Sequence, residues 1–344
     1  MENTREQQIS TLLSQESAFR TRQAIEAIYS PFFRSWDDVT SLSKPMRERL
    51  AGAVSWNTLT MTTALPSVTG DAWKALFETN DGNRIESVLM RNSRGQLTVC
   101  VSTQVGCAMN CAFCATGKMG LVRNLSQDEI VDQVRALHDL TVDANVPGEI
   151  TNIVFMGMGE PMANYEEVRG ALQVFTGPMG IGTTRITVST AGLLSGLERL
   201  LTDPLWPPVR IAISLHAADE ATRKRLMPTT APGFIDDLVA WSRKYAVAFP
   251  EKRRHLTLEY LLLSGVNDSE SDTWKLVDLA RRIDRVRVNL IPYNATDSGF
   301  SGSSEDAVRR CKDKLEAAGI TATIRKSQGG DIAAACGQLA GRGN

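Results

Sequence analysis

The chain has 344 residues, 42% of them hydrophobic and 22% charged, and a formal net charge of −1 at pH 7. This composition is typical of a globular protein, and no run of about eighteen apolar residues suggests a membrane span. The near-neutral charge argues against a protein whose whole surface is basic for binding nucleic acid, but it does not exclude local basic patches. The polar N-terminus lacks an apolar export signal, so we expect a cytoplasmic protein whose six cysteines serve as ligands, nucleophiles or core residues.

Short helices are predicted for residues 1 to about 57, because apolar residues such as Ile9 and Ile28 recur at helical spacing. Pro31 and Pro45 interrupt the pattern. We therefore predict a helical accessory domain at 1–62, which could contact RNA, followed by a core at 63–344.

Strands alternate with helices through most of the core. The segments 85–91 and 97–103 predict a β-hairpin with a turn at 92–95. Ser126 and Glu129 form a capping box that opens a helix to about Asp143. Further strands are predicted at 152–156, 185–189, 209–215, 256–262, 286–291 and 321–324, and further helices from 165 and at 193–201, 235–245, 272–283 and 305–318. This alternation predicts parallel βαβ units, in either a doubly wound sheet or a barrel.

Polar motifs follow several of these strands where each strand ends. The carboxyl ends of parallel strands meet at one edge of a sheet, so we expect a single shared site there. The residues concerned are Cys107, the segment Gly157–Glu160, Ser189, His216 and Asn294.

Cys107, Cys111 and Cys114 form a C-x₃-C-x₂-C array. Structural zinc sites take four protein ligands, so zinc would need a distant fourth residue. A four-iron cluster held by three thiolates keeps one iron open to another ligand. Phe113 offers an apolar wall, and nearby glycines suit a loop that wraps closely. Spacing alone favours the cluster over zinc and over a plain loop.

The array, with an aromatic residue before its last cysteine, resembles the radical S-adenosylmethionine (radical SAM) superfamily. The resemblance implies a [4Fe–4S] cluster whose open iron takes the amino and carboxylate groups of S-adenosylmethionine (SAM). It also implies one-electron cleavage to a 5′-deoxyadenosyl radical, and a partial (β/α)6 barrel.

The segment Met156–Pro161 lacks the third glycine of a dinucleotide-binding loop and instead resembles the superfamily motif that holds the amino group of SAM through Gly159 and Glu160. Taken singly, polar residues at strand ends often only satisfy backbone groups. The resemblance makes the others contacts to the carboxylate, ribose and adenine of SAM: Ser189, Ser214, Leu215, His216 and Asn294.

Five segments together resemble the RlmN/Cfr family of radical SAM RNA methyltransferases, and most resemble its RlmN branch. They are TVCVSTQVGCAMNCAFCATG, FMGMGEPMAN, ISLHA, VNLIPYN and DIAAACGQLAG. The resemblance implies that Cys336 carries the methyl group, that Cys100 resolves the RNA adduct by forming a disulfide, and that Glu86 accepts the proton. By composition alone, Cys100 and Cys311 read as small core residues and Glu86 as an exposed strand acid.

The implied reaction methylates C2 of an adenosine in naked or early-assembly 23S rRNA, and of the tRNA adenosine 3′ of the anticodon. It needs a flavodoxin or ferredoxin as electron donor and a dithiol reductant, and we expect a monomer. Two alternatives stay open: methylation at adenine C8, and a non-catalytic, zinc-stabilised RNA-binding protein. Candidate RNA contacts are the basic segments 223–225, 252–254, 281–287 and 325–326, although each taken singly is more simply a solvated helix end or turn.

Overall fold

The computed structural model describes residues 3–251, 254–296 and 298–341. It begins with three helices: α1 (Arg5–Leu12), α2 (Ala18–Tyr29) and α3 (Lys44–Ala53). The Thr4 and Ser17 side chains cap the first two. The predicted N-terminal helices are thus confirmed, and Ile9 and Ile28 lie fully buried in the main hydrophobic core.

An antiparallel meander follows, made of β1 (Leu59–Pro66), β2 (Ala72–Thr79), β3 (Arg84–Arg91) and β4 (Leu97–Cys100). The hairpin between β3 and β4 is confirmed. The sequence did not predict β1 and β2, because β1 is an edge strand without a clear apolar alternation. β1 crosses residue 62, and a domain boundary at that point stays a prediction.

Strands and helices then alternate to the end of the chain. They are β5 (Gln104–Gly106), β6 (Leu121–Asn124), α4 (Gln127–Asp143), β7 (Ile150–Phe155), α5 (Tyr165–Thr176), β8 (Ile186–Thr190), α6 (Leu194–Leu200), β9 (Arg210–Ser214), α7 (Glu220–Leu226), α8 (Phe234–Ala248), β10 (Leu256–Leu262), α9 (Glu270–Arg281), β11 (Val286–Pro292), α10 (Glu305–Ala317) and β12 (Thr321–Ile324). The capping box predicted at Ser126 is present and starts α4.

The main sheet has ten strands in the order β1-β2-β3-β4-β7-β8-β9-β10-β11-β12, and β5 pairs with β6 separately. From β4 onward all neighbours in the main sheet run parallel. Six strands of the main sheet, β7 to β12, follow the cysteine array. The α/β fold is the predicted partial (β/α)6 barrel, extended by the meander.

The strand predicted at 97–103 stops at Cys100 in the structure. The Ser102 N–H turns away from the ladder and donates to Gln133 Oε1 (2.7 Å), and the Ser102 hydroxyl donates to the Glu86 carbonyl (2.6 Å). The chain then enters β5, which leads into the cysteine loop. No helix within the described ranges has the length and apolarity that crossing a bilayer requires.

Candidate active site

A cavity opens at the carboxyl ends of the parallel strands, where the sequence predicts the site. Nine of the predicted residues line it: Cys107, Cys111, Cys114, Gly159, Glu160, Ser189, Ser214, His216 and Cys336. Each comes from the loop or strand end expected to carry it. Four other predicted residues, Glu86, Cys100, Leu215 and Asn294, are not among its lining side chains.

The cysteine loop is held at both ends by backbone contacts. The Cys107 N–H donates to the Gly120 carbonyl (2.9 Å), and the Ala112 N–H donates to the carbonyl of Leu226 at the end of α7 (2.8 Å). Gly106 has φ +74°, and a Cβ atom there would lie 1.8 Å from the Gly120 oxygen. Only glycine permits this close return of the chain, which aims the cysteines into the cavity.

The three thiols suit the cluster that the array predicts. Burial raises the pKa of Cys107 to about 11 and that of Cys111 still further. Such thiols ionise readily only when a metal compensates the charge, and soft sulfur donors favour iron–sulfur clusters. Within the described ranges no three His, Cys, Asp or Glu side chains converge as one bound ion requires. A four-iron cluster is wider and spreads its ligands further apart.

Glu160 is buried, and its carboxylate accepts hydrogen bonds from Thr190 Oγ1 (2.5 Å) and the Ala191 N–H (2.6 Å). Burial raises its pKa, and these donors oppose the rise. The preceding Gly159 has φ +102°, and a Cβ there would lie 2.6 Å from the Cβ of Gln104. The loop therefore fixes a carboxylate beside the cysteines, where it can accept the ammonium group of a ligand.

His216 is buried and neutral. Its Nδ1 accepts the Leu261 N–H (3.0 Å), so the proton lies on Nε2. Burial, with Arg223 nearby, lowers its pKa to about 3. Its ring stands edge-to-face against Phe113 at 4.8 Å. His216 therefore offers the cavity a fixed N–H donor and an apolar ring face.

Ser189 and Ser214 close the neighbouring wall, with their hydroxyl oxygens 3.4 Å apart. The Leu215 side chain is instead fully buried in the core. Any contact of Leu215 with a ligand must therefore come from its backbone.

The basic segment 223–225 does not form the predicted surface patch, because Arg223 is buried and lies inside the fold. Its guanidinium donates to the carbonyls of Ser214 (2.7 Å) and Ala191 (2.5 Å), two loops of the site. Lys224 and Arg225 remain exposed. In the segment 281–287, Arg285 donates to backbone carbonyls, including that of Ala246 (2.7 Å). Lys252 and Arg253 lie outside the described residues.

The C-terminal segment 329–341, which carries Cys336, docks against the cysteine loop. The Ala115 N–H donates to the Gly337 carbonyl (2.8 Å), and Thr116 Oγ1 donates to the Leu339 carbonyl (2.6 Å). Asn294, expected to contact SAM, lies with its Nδ2 3.5 Å from the Cys336 carbonyl. In this structure Asn294 therefore supports the segment rather than lining the first cavity.

Cys100 and Cys336 line a second cavity behind the first, together with Met156, Asn294 and Arg325. Both thiols are free; Cys100 is buried, whereas Cys336 is exposed. Burial raises the pKa of Cys100 to about 12. Because Cys336 lines both cavities, its sulfur can be reached from the cysteine array and from Cys100. Cys311 is a buried residue of α10, as composition suggested.

Glu86 is buried, not the exposed acid that composition suggested. Its carboxylate lies 3.3 Å from Lys74 Nζ and accepts the N–H groups of Ala340 (2.8 Å) and Gly341 (3.2 Å). It lines neither cavity. In this conformation Glu86 anchors the C-terminal segment.

Two charged residues that line the site were not predicted from the sequence to belong to it. Glu259 is a buried acid on β10 that lines the first cavity, and Arg325 follows β12 and lines both cavities. An acid inside the otherwise apolar segment LTLEYLL was the available signal for Glu259. Arg325 was noted only as part of a basic segment, and nothing in its local sequence indicated burial.

Comparison with known proteins agrees with this geometry. Residues 101–277, slightly more than half of the chain, match the radical SAM superfamily, whose members use a [4Fe–4S] cluster and SAM. The probable dual-specificity RNA methyltransferase RlmN of Gemmatimonas aurantiaca is 42% identical over 94% of this chain and 86% of its own length. The ribosomal RNA large subunit methyltransferase N of Nitrosopumilus maritimus is 38% identical over 93% and 92%.

A solved structure supports the same assignment across the full fold. The crystal structure of a radical SAM methyltransferase from Sphaerobacter thermophilus superposes with a TM-score of 0.90 at 39% identity, covering 99% of this chain and 98% of that one. The chain belongs to the RlmN family of dual-specificity RNA methyltransferases, within the radical SAM superfamily.

Proposed function

We propose that this enzyme methylates C2 of a specific adenosine in 23S rRNA, and the tRNA adenosine 3′ of the anticodon, through a methyl group carried on Cys336. The observation that carries the proposal is the position of Cys336, which lines one cavity with the three array cysteines and another with Cys100. The names of the relatives, which describe dual-specificity RNA methyltransferases and an rRNA methyltransferase, support the substrate class.

Adenine C2 is electron-poor and is a poor nucleophile toward a methyl sulfonium, so a radical route is needed. The cluster and SAM, when bound, supply a carbon radical that can remove hydrogen from the S-methyl group. Cys107, Cys111 and Cys114 would hold the cluster. Glu160 would hold the SAM amino group, and Ser189, Ser214, His216 and the Leu215 backbone would orient the rest of the molecule. Asn294 would reach the adenine only if its contact with Cys336 is released.

Cys336 would present its methyl carbon to the base, and Cys100 would then break the bond between the Cys336 sulfur and the RNA-linked methylene carbon. In that step the Cys100 thiolate attacks the Cys336 sulfur and a disulfide forms. The sulfur–carbon bond breaks with its electron pair on the carbon, which takes a proton and becomes the methyl group on RNA. A dithiol reductant then restores both thiols. Before this release step, the RNA adduct would lose one electron to the external redox partner and would lose its C2 proton, which Glu86 would accept after leaving the C-terminal segment.

A base in folded RNA must leave its stack to enter the site, so naked or early-assembly rRNA is the expected form. The candidate RNA contacts are the exposed Lys224, Arg225 and Lys326, together with the accessory domain predicted at 1–62. We expect the enzyme to act as a cytoplasmic monomer and to receive electrons from a flavodoxin or ferredoxin.

The decisive experiment is mass spectrometry of nucleosides from 23S rRNA and tRNA fragments incubated anaerobically with the cluster-loaded enzyme, SAM and a reductant. We expect 2-methyladenosine in both RNAs. 8-Methyladenosine would replace the proposal with C8 chemistry, and rRNA modification alone would remove the tRNA substrate. A colourless protein with one zinc and no methylated product would favour the non-catalytic RNA-binding alternative.

A further inference from the structure

The release step proposed above requires Cys100 to act as a thiolate, yet its surroundings oppose ionisation. Cys100 ends β4 and is 6% exposed. Burial, and then the neighbouring Cys336, raise its pKa to about 12, while the Met156 N–H and Arg325 act in the opposite direction. A thiol with such a pKa is almost entirely protonated near neutral pH, so the attack needs a source of positive charge.

Arg325 is placed to supply that charge. Among the described residues, the titratable side chains lining the cavity that contains both sulfurs are Cys100, Cys336, Arg325 and Lys326. Arg325 is half-buried and its Nη1 lies 3.2 Å from Sδ of Met156, which directly follows β7, the strand that pairs with the strand of Cys100. Lys326 is exposed to solvent, which screens its charge.

Two further contacts hold Arg325 in place. Its backbone N–H donates to the Leu290 carbonyl on β11 (2.8 Å). Its Nη1 lies 3.6 Å from Oε2 of the buried Glu259, whose Oε1 accepts a hydrogen bond from Asn289 Nδ2 (2.9 Å). The guanidinium is therefore tethered by Glu259, and it lines the same cavity as the two sulfurs.

We propose that Arg325 is the positioning residue of the release step: its guanidinium stabilises the Cys100 thiolate and, later, the charge that spreads between the Cys100 and Cys336 sulfurs during attack. Glu259 and Asn289 orient Arg325. This inference rests on the proposed roles of Cys100 and Cys336, and it assigns to Arg325 a function that is separate from binding SAM or RNA.

The test isolates the sulfur–sulfur step from methylation. Cluster-loaded enzyme, kept anaerobic, is treated with oxidised glutathione, which adds first to the exposed Cys336. The Cys100 thiolate then attacks the Cys336 sulfur, glutathione leaves as a thiolate, and the Cys100–Cys336 disulfide forms. Peptide mass spectrometry follows conversion of the mixed disulfide into the intramolecular one.

Arg325→Met should slow this conversion by about tenfold or more, because each unit by which a thiol pKa rises cuts the thiolate fraction about tenfold. Arg325→Lys, which keeps the charge, should recover most of the rate. Lys326→Met is the matched control from the same cavity; in this assay, which contains no RNA, its rate of disulfide closure should stay within about twofold of wild type, because its charge is screened. Iron content and the thermal midpoint check that each variant is folded.

The outcomes separate the two hypotheses. If wild type accumulates the mixed disulfide and never closes it, the resolving role of Cys100 is wrong, and the proposed function fails at that step. If wild type closes and a folded Arg325→Met closes equally fast, only the Arg325 assignment is overturned. An Arg325→Lys variant as slow as Arg325→Met, or a Lys326→Met variant equally slow, overturns it as well.

Discussion

The Glu86 carboxylate accepts the backbone N–H of Ala340 at 2.8 Å, which ties β3 to the end of the segment that carries Cys336. Lys74 Nζ lies 3.3 Å from the other oxygen of the same carboxylate, Glu86 Oε1. The acid that the family resemblance makes a proton acceptor is thus also a structural anchor. These two roles make different demands on the side chain, because anchoring needs only an acceptor oxygen whereas proton transfer needs a base.

Glu86→Gln separates the two roles. The amide oxygen can still accept the Ala340 N–H, so hydrogen exchange of residues 329–341 should remain close to wild type. Methylation should fall by about 10²-fold or more, since a general base typically contributes 10² to 10⁴. Glu86→Ala should both speed exchange and abolish methylation. Normal turnover by Glu86→Gln would remove the proton-acceptor role.

Cys100→Ala should trap the enzyme on its substrate, because the sulfur that displaces the RNA-bearing carbon is gone. We expect an RNA-linked protein band that is sensitive to nuclease, and a stoichiometric rather than catalytic loss of substrate. Cys311→Ala, which also removes a buried thiol, is the matched control and should turn over normally. Normal turnover by Cys100→Ala would eliminate its resolving role.

Cys336→Ala should give no methyl group on RNA while still cleaving SAM to 5′-deoxyadenosine. The array cysteines that hold the cluster are unchanged in this variant, whereas the methyl carrier is missing. Chromatography of the nucleoside products measures the two outcomes in one sample. Retained RNA methylation would overturn the carrier assignment.

Cys111→Ala should lose the cluster. Two thiolates remain in the array, and the other cysteine that lines the cavity, Cys336, lies on the separate C-terminal segment, where it is assigned to carry the methyl group. Reconstituted wild type should be brown with about four irons per chain, as a [4Fe–4S] cluster requires. The variant should be pale and should release no 5′-deoxyadenosine. Cys311→Ala again controls for loss of a thiol. A Cys111→Ala protein with full iron content would refute the assignment of Cys111 as a cluster ligand.

Gly159→Ala should damage the SAM site through the backbone. Its φ of +102° strains any other residue, and the new Cβ would lie 2.6 Å from the Gln104 Cβ. Strain of this kind costs about 1–3 kcal/mol, so we expect a lower thermal midpoint together with weaker SAM binding by calorimetry. Gly180→Ala is the control, because φ is +67° there but no atom lies within 4 Å of the added Cβ. It should lower stability without weakening SAM binding.

His216 should make stability fall on acidification. Its pKa is lowered from 6.5 to about 3 in the folded chain by burial and Arg223. Between pH 6.5 and 3 the unfolded chain binds a proton at this histidine whereas the folded chain does not. The contribution of His216 to the free energy of unfolding is therefore fully present above pH 6.5. It is lost as pH falls towards 3, by at most about 1.4 kcal/mol per pH unit.

The measurement is the thermal midpoint of wild type minus that of His216→Asn between pH 7.5 and 5. Asparagine tolerates the φ of +56° at this position and does not titrate. We expect the difference to shrink as pH falls, because only wild type loses the His216 contribution. A difference independent of pH would mean that His216 has the same pKa in the folded and unfolded chain, and a difference that grows as pH falls would mean that its pKa is raised by folding.

The sequence by itself determined the features that depend on short-range spacing. The array Cys107–Cys114 lies within one loop, the capping box of α4 within one turn, and each strand and helix carries its own period. Parallel alternation then requires the strand ends to meet, and this alone predicts that Glu160 and His216 share one site. The strand β1 and the short helix α7 were not predicted, because neither shows a clear period in its apolar residues.

Only the tertiary structure decided which charged side chains lose contact with water and which partners they meet. Arg223 looks like part of a surface patch, but its helix α7 packs against the strand ends and buries it among carbonyl groups. Glu86 and Ala340, or Arg325 and Glu259, are brought together by the order of strands in the sheet and by the docking of the last residues. Burial and ion pairing arise from such long-range packing, so no local pattern of residues encodes them.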